Sequence, residues 1–450
     1  MNRRIFLANS ILTAAAAATN PLRWEWWQTP ADHTIRIAPM SLELAPGCVV
    51  RTTAYNGSVP GHLLRLREGR PVTVDVTNAT DHDEWVHWHG LTIPSDVDGS
   101  GEEGTPAVKA HGARRYTFTP QPAGFRWYHS HRFAGHDLRA ATYSGQFGFL
   151  MIDGASEPGS YDGEHFLALH DWGPYETGGD DGYRFVRYNH ASINGRLLGA
   201  GDPIRVRAGE RVLFHILNAS ATDPHWIALP GHRFIVTALD GNPVPTAAAV
   251  DTLRLGPGER IDAVVTMNEP GAWILGECQD HIRNAGMGVV VEYAGRSGPP
   301  RWITPAALAW DYGWVEAHGP ATAGTGGPAE PIPMVIQSTF HGHVDFEHWA
   351  INGDEFPHGR PIPLREGTRY RLTFDNRSND DHPLHLHRHR FELRRFGARS
   401  TAGVIKDVVI VPAFTSVDVE FNADNPGSTL FHCHNQSHMD FGFMKLLSYV

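Results

Sequence analysis

Close to the carboxyl end, Phe431 to Met444 reads FHCHNQSHMDFGFM, with Cys433 between His432 and His434 and a further histidine, His438, five residues after the cysteine. If Leu430 to His434 is a strand, successive side chains point to opposite faces. His432 and His434 then share one face and Cys433 takes the other. A lone thiolate among imidazoles suits copper better than zinc or iron. Such a strand would feed two metal sites, one on each face, joined by a few bonds of its own backbone. The bland alternative is a buried free cysteine packed as a small apolar side chain.

The elements that would position these groups recur along the chain. Tyr55–Asn78, Ile193–Asn218 and Ile351–Asn376 share one layout: Asn-Gly, a loop, a short strand, a glycine turn, and an alternating strand that stops at asparagine. Val72, Val74 and Val76 show the period of two expected of a half-buried strand. Repeats of about 150 residues are too long for a solenoid and predict separate domains. Many short strands with glycine and proline turns predict β-sandwiches. Nine and eleven residues after Asn78 stand His87 and His89; the same steps from Asn376 reach His385 and His387, and from Asn218 they reach Ile227 and Leu229. Five and seven residues after Gly124 stand His129 and His131, and after Gly427 stand His432 and His434. After Gly271 the matching residues are Gly276 and Cys278, with Glu277 between them. The outer copies therefore keep paired histidines that the middle copy lacks. Each pair puts two imidazoles on one strand face, and histidines satisfied singly in a core would not arrive in matched pairs.

In order, HWHG, HSH, HPLHLH and HCHNQSH resemble the motifs of the multicopper oxidase family, and the chain is similar to its three-domain, laccase-like bacterial members over nearly the whole mature length. The resemblance implies an all-β fold of three cupredoxin-like Greek-key sandwiches and four copper ions. It gives the type 1 copper to His382, Cys433 and His438, and the type 2 copper to His87 and His385. One type 3 copper falls to His89, His129 and His434, and the other to His131, His387 and His432. It also implies that electrons enter singly at Cys433 and that dioxygen is reduced to water. Ser130, at the place matching Cys433, leaves the first domain without a blue copper. Phe443 stands where the family often has an axial methionine. It cannot coordinate, which predicts a three-coordinate type 1 copper of raised potential. Met439 and Met444 are expected to pack as core. Asp98 matches an acidic residue that serves the type 2 water and proton delivery. Asn435, Gln436, Ser437 and Met439 occupy the places of a second carboxylate, so protons for the type 3 pair are expected through Asp440, another domain's residue, or water.

The whole chain fits this frame. Its 450 residues are 41% hydrophobic, with 47 glycines and 32 prolines, a balance of strands and turns over helices. We place the domains at residues 31–155, 156–296 and 297–450, after a leader over residues 1–30. That leader, MNRRIFLANSILTAAAAATN, carries Arg3-Arg4, a short apolar run and small residues. It reads as a twin-arginine-type export signal, which implies a periplasmic or secreted protein with no membrane span once mature. A net charge of −11 argues against nucleic acid as the main partner. Cys48 and Cys278 are left as either a disulfide or two free thiols. His341, His343 and His348 match no paired strand and are expected at the surface.

The first reading of function is oxidation of phenol-like donors by outer-sphere electron removal near His438. The alternatives are a metallo-oxidase for Cu(I), Fe(II) or Mn(II), a copper store, and an exported cupredoxin scaffold without catalysis. With 8 methionines and no cluster of them, the thioether ligands that suit Cu(I) are scarce.

Overall fold

The computed structural model describes residues 29–154, 160–178, 183–296, 298–317, 328–339 and 345–450. The leader, apart from Thr29 and Pro30, lies outside the described residues, as do His341 and His343. Among the described residues the chain is nearly all β, in six sheets that make three cupredoxin-like sandwiches.

The first sandwich faces the sheet built on His33–Ala45 and Val72–Asn78 against the sheet that holds Val86–His89 and Gly124–Ser130. The second uses Gly163–Gly178 and Arg211–Asn218 in one sheet, and His225–Ala228 and Ala272–Glu277 in the other. The third repeats this with Glu330–Thr339 and Arg369–Asn376 against His382–Leu386 and Ser428–Cys433. In each sandwich the opening strand runs parallel to the strand that stops at asparagine: His33–Ala45 on Val72–Asn78, Gly163–Gly178 on Arg211–Asn218, Glu330–Thr339 on Arg369–Asn376. A parallel pairing needs a long crossover, and the loop, short strand and turn seen in the repeats supply it.

Alternation dictates the packing. Val72, Val74 and Val76 bury into the first core with Trp88, Tyr116 and Tyr128. The middle and third sandwiches share one continuous apolar core. Phe125, Trp127 and Phe149 of the first pack on Ala168, Trp172 and Leu217 of the second. The long strand Tyr183–Ile193 also takes Asp345–Phe346 onto its edge, which ties the middle sheet to the third segment. No helix among the described residues is long and apolar enough to cross a membrane.

Two features differ from the sequence reading. The regular strand ends at Cys433 rather than His434, although the His434 N–H still donates to the Pro383 carbonyl at 2.6 Å. In the middle sandwich, Ile227 lies across from Glu277 and Ala228 across from Gly276. In the third, Leu384 lies across from Cys433 and His385 across from His432. The counterparts of His385 and His387 are therefore Ala228 and Pro230, not Ile227 and Leu229. The loop after Asn218 is one residue longer than that after Asn376, and strand pairing, not loop length, sets the register.

Candidate metal centre

Strands Val86–His89 and Gly124–Ser130 are neighbours, with His87 directly across from His129. His385 likewise lies across from His432. The two strand pairs meet face to face, so the eight histidines of the His-x-His pairs converge in one buried volume. His89, His129 and His434 form one triplet, with ring centroids 5.5, 5.1 and 5.2 Å apart. His131, His387 and His432 form another, at 4.9, 5.2 and 5.1 Å. His87 and His385 lie 5.7 Å apart beside both.

Hydrogen bonds on the outer side fix which nitrogen points inward. His87 Nδ1 donates to the Asp98 carbonyl at 2.9 Å, His385 Nδ1 to the Asp407 carbonyl at 2.7 Å, and His129 and His432 Nδ1 to the carbonyls of Ser130 and Cys433 at 2.8 Å each. His387 Nδ1 donates to Asp98 Oδ2 at 2.9 Å, and His89 turns its Nε2 to Asp407 Oδ1 at 3.1 Å. Each proton is then on the outer nitrogen, and the inner nitrogens present lone pairs. His387 Nε2 and His432 Nε2 face one another at 3.1 Å, and His89 Nδ1 faces His129 Nε2 at 3.4 Å. His87 Nε2, His385 Nε2 and both ring nitrogens of His131 and His434 find no hydrogen-bond partner among the described residues. Converging buried lone pairs need an electrophile, and metal cations fit that need.

Cys433 faces the opposite way. Its Sγ lies 3.8 Å from His382 Nδ1 and 3.6 Å from His438 Nδ1, and these two nitrogens are 3.1 Å apart. Burial pushes the Cys433 thiol up and holds His438 down to about 3. The thiol keeps its proton in this apolar setting unless a bound cation displaces it. Phe443 closes one side with its ring 4.9 Å from His382. Met439 and Met444 pack with Leu430 away from the trio. Trp349, which the sequence reading missed, lies 4.5 Å from both imidazoles and shields them.

The carboxylates were less legible. Asp98 is fully buried, with Oδ2 3.1 Å from His87 Nδ1 and 2.9 Å from His387 Nδ1. Gly99 after it has φ +99, and a Cβ there would sit 1.9 Å from the Val86 carbonyl oxygen, so only glycine lets this loop reach the cluster. Glu103 was not anticipated: Oε1 accepts the Leu430 N–H at 2.6 Å and Oε2 lies 3.4 Å from His387 Nδ1. Burial, with the Asp98 charge beside it, holds Glu103 well above the usual carboxylate range. Asp407 was missed as well; Arg260 of the middle domain grips it with two bonds of 2.6 and 2.7 Å. Asp440 accepts from the N–H groups of Ala134 and Gly135 at 3.1 and 2.8 Å and from Gln436 Nε2 at 2.9 Å, and burial raises it to about 7. Cys48, Cys278 and Cys433 are all free thiols. His348 is half-buried against Phe441, with Nδ1 3.5 Å from Glu355.

Comparison with known proteins agrees with this arrangement. Three family models, each described as multicopper oxidase, match residues 40–157, 169–290 and 328–448. The multicopper oxidase MmcO of Mycobacterium tuberculosis is 31% identical, over 98% of this chain and 91% of its own length. Laccase-3 of Thanatephorus cucumeris is 25% identical, over 90% of this chain and 89% of its own. The crystal structure of a multi-copper oxidase from Pseudomonas thermotolerans, 24% identical, superposes with a TM-score of 0.74 over 94% of this chain and all of that one. The histidine clusters, the fold and these matches converge: the chain belongs to the multicopper oxidase family.

Proposed function

We propose that the protein oxidises a small phenol-type donor, one electron at a time, on the His438 side and passes four electrons to dioxygen, which leaves as water. In this reading His382, Cys433 and His438 hold the type 1 copper, and His87 and His385 the type 2 copper. His89, His129 and His434 hold one type 3 copper; His131, His387 and His432 hold the other. Bound copper supplies the one-electron chemistry at the first site and the four-electron reduction of dioxygen at the second.

The chain's own residues supply position, exclusion and protons. The observation that carries the reading is the turn of one strand: Cys433 faces the pair His382 and His438, while His432 and His434 on either side of it enter the two buried triplets. Phe443 and Trp349 keep water from the sulfur. Asp98 fixes His87 and His387 from the outer side of the cluster, where it would relay protons toward it.

His438 reaches a cleft of about 450 Å³ whose mainly polar lining includes Phe185, Pro224 and Phe346, which offer contact surface to an aromatic ring. The second reading, a metal-ion donor, draws on the same cleft, because Asp223, Glu347, Asp380 and Asp381 also line it. We also infer export by the twin-arginine-type leader. Oxygen uptake by the copper-loaded protein, compared across a phenol, an aromatic diamine, Cu(I), Fe(II) and Mn(II), tests the donor class. A phenol or diamine is expected to turn over fastest; faster turnover with a metal ion than with every organic donor overturns the first reading in favour of the second.

A further inference from the structure

The third domain's Cys433 cage has a counterpart in the middle domain, and the backbone match is close. His382 pairs with Val411, and His225 pairs with Leu255. Cys433 lies across from Leu384, and Glu277 across from Ile227, each two residues on from its histidine. The Cys433 N–H donates to the Phe443 carbonyl at 3.2 Å, as the Glu277 N–H does to the Met287 carbonyl at 3.1 Å. The Phe443 N–H bonds the His438 carbonyl at 3.0 Å, and the Met287 N–H bonds the Ile282 carbonyl at 3.3 Å. His438 is the third residue of the helix Gln436–Asp440, and Ile282 the third of Asp280–Asn284.

The entry loops match too. Asn376 Oδ1 accepts the Ser378 N–H, and Ser378 Oγ lies 2.9 Å from His382 Nε2. Asn218 Oδ1 accepts the Ser220 N–H, and Ser220 Oγ lies 3.0 Å from His225 Nε2. Both histidines therefore aim Nδ1 into the cage. In the middle domain that nitrogen meets Glu277 Oε2 at 3.1 Å, where His382 meets the Cys433 sulfur.

The chemistry inside differs. Glu277 accepts from the Trp226 and Gln279 N–H groups at 2.9 and 3.1 Å, so both of its oxygens act as hydrogen-bond acceptors. On the far side Asp171 Oδ2 lies 3.0 Å from His225 Nε2. Carboxylates on both ring nitrogens require both to carry protons. They also lie on opposite edges of the ring, so no single ion can take all three groups as ligands. Strand pairing places Asp171 two residues beyond Leu169, the partner of Asn218, where the third domain has Ser338 two beyond Ile336, the partner of Asn376.

We propose that the middle domain retains a type 1 cage closed by a proton: His225, an imidazolium between Glu277 and Asp171, stands where the third domain would bind copper, and the cage takes copper once Glu277→Cys and Ile282→His restore the donors and Asp171→Ser removes the carboxylate behind the ring. This rests on the assignment of His382, Cys433 and His438 to the type 1 copper. Burial works against the charged ring, but the two carboxylates outweigh it and carry His225 up to about 10. The other titratable groups beside it are Asp223, raised by burial, and His170, lowered by burial to about 4.

Two measurements on copper-loaded protein decide the matter. The three substitutions are introduced into a Cys433→Ser background, and blue absorption and copper per chain are read together with far-ultraviolet circular dichroism. Cys433→Ser alone is expected to be colourless; colour surviving in it refutes the type 1 assignment instead. Adding the three substitutions is expected to restore a blue band and one copper per chain, and a folded but colourless protein overturns the proposal. Independently, nitrogen-15 NMR of the unaltered holoprotein, fully reduced and so diamagnetic, is expected to show two ring N–H protons on His225 at pH 8. A single ring proton there overturns the proposal whether or not the variant folds.

Discussion

Strand Val86–His89 of the first domain and strand His225–Ala228 of the middle domain occupy the same place in their sheets, yet one lines the histidine cluster and the other does not. The backbone is common; the donors are a pattern of side chains laid over it. The middle domain supports the cluster from outside instead. Arg260 grips Asp407, Asp240 Oδ2 accepts the N–H groups of Asp407 and Val408 at 3.1 Å each, and Lys406 lies 2.9 Å from Asp240 and 3.1 Å from Glu259. Its Gly258 comes so close to His434 that a Cβ would meet the ring at 2.8 Å. The outer domains hold the chemistry, and the middle one holds it still.

That division can be broken at graded cost. Asp98→Asn, inside the cluster, is expected to lower turnover by about 10²-fold or more while stopped-flow reduction of the blue site by the donor stays fast; full turnover removes Asp98 from proton delivery. Arg260→Ala removes both close guanidinium bonds to buried Asp407, leaving it Arg126 at 3.7 Å and His89 at 3.1 Å, and is expected to cost about 3–5 kcal/mol in denaturant unfolding. Adding Asp407→Asn should recover part of that loss, and no recovery means that Arg260 acts by packing instead.

Gly258→Ala is expected to cost about 1–2 kcal/mol for its left-handed backbone and to lower copper content by displacing His434. Gly209, with φ +85 and open space around it, is the control: Gly209→Ala should show the strain without the copper loss. The smallest change is Phe443→Met, which adds a weak axial ligand and is expected to lower the type 1 potential in a redox titration. An unchanged potential means that the introduced thioether does not reach the metal, and the absence of a ligand at residue 443 is then not what sets the potential.

How much of this was legible follows from which signals are local. The His-x-His pairs were readable because a strand's period of two puts both rings on one face, and Asn78, Asn218 and Asn376 mark equivalent strand ends. Each asparagine's Nδ2 bonds a carbonyl outside its own sheet, at Val108, Leu255 and Val411, a tie common to all three domains. The single-residue insertion before His225 hid the middle cage, since counting along a loop misses what pairing across strands fixes. Asp407 and Glu103 left weaker traces. Asp407 meets His89 across 318 residues, a contact no spacing rule reaches, and Glu103 lay in DGSGEEGT, which reads as a turn. A usable signal did exist: Lys406 and Asp407 interrupt the apolar run GVIKDVVIV, and charges buried within such a run must find partners elsewhere.

Cys433 and its histidine neighbours are proposed to serve separate metal centres from one strand. Copper content and the visible spectrum of Cys433→Ser, purified as the copper-loaded protein, test this most directly. The expected result is a folded, colourless protein that lacks one copper per chain, keeps the other three, and no longer consumes oxygen with any donor. Retained blue colour, or loss of all copper from a folded chain, contradicts it.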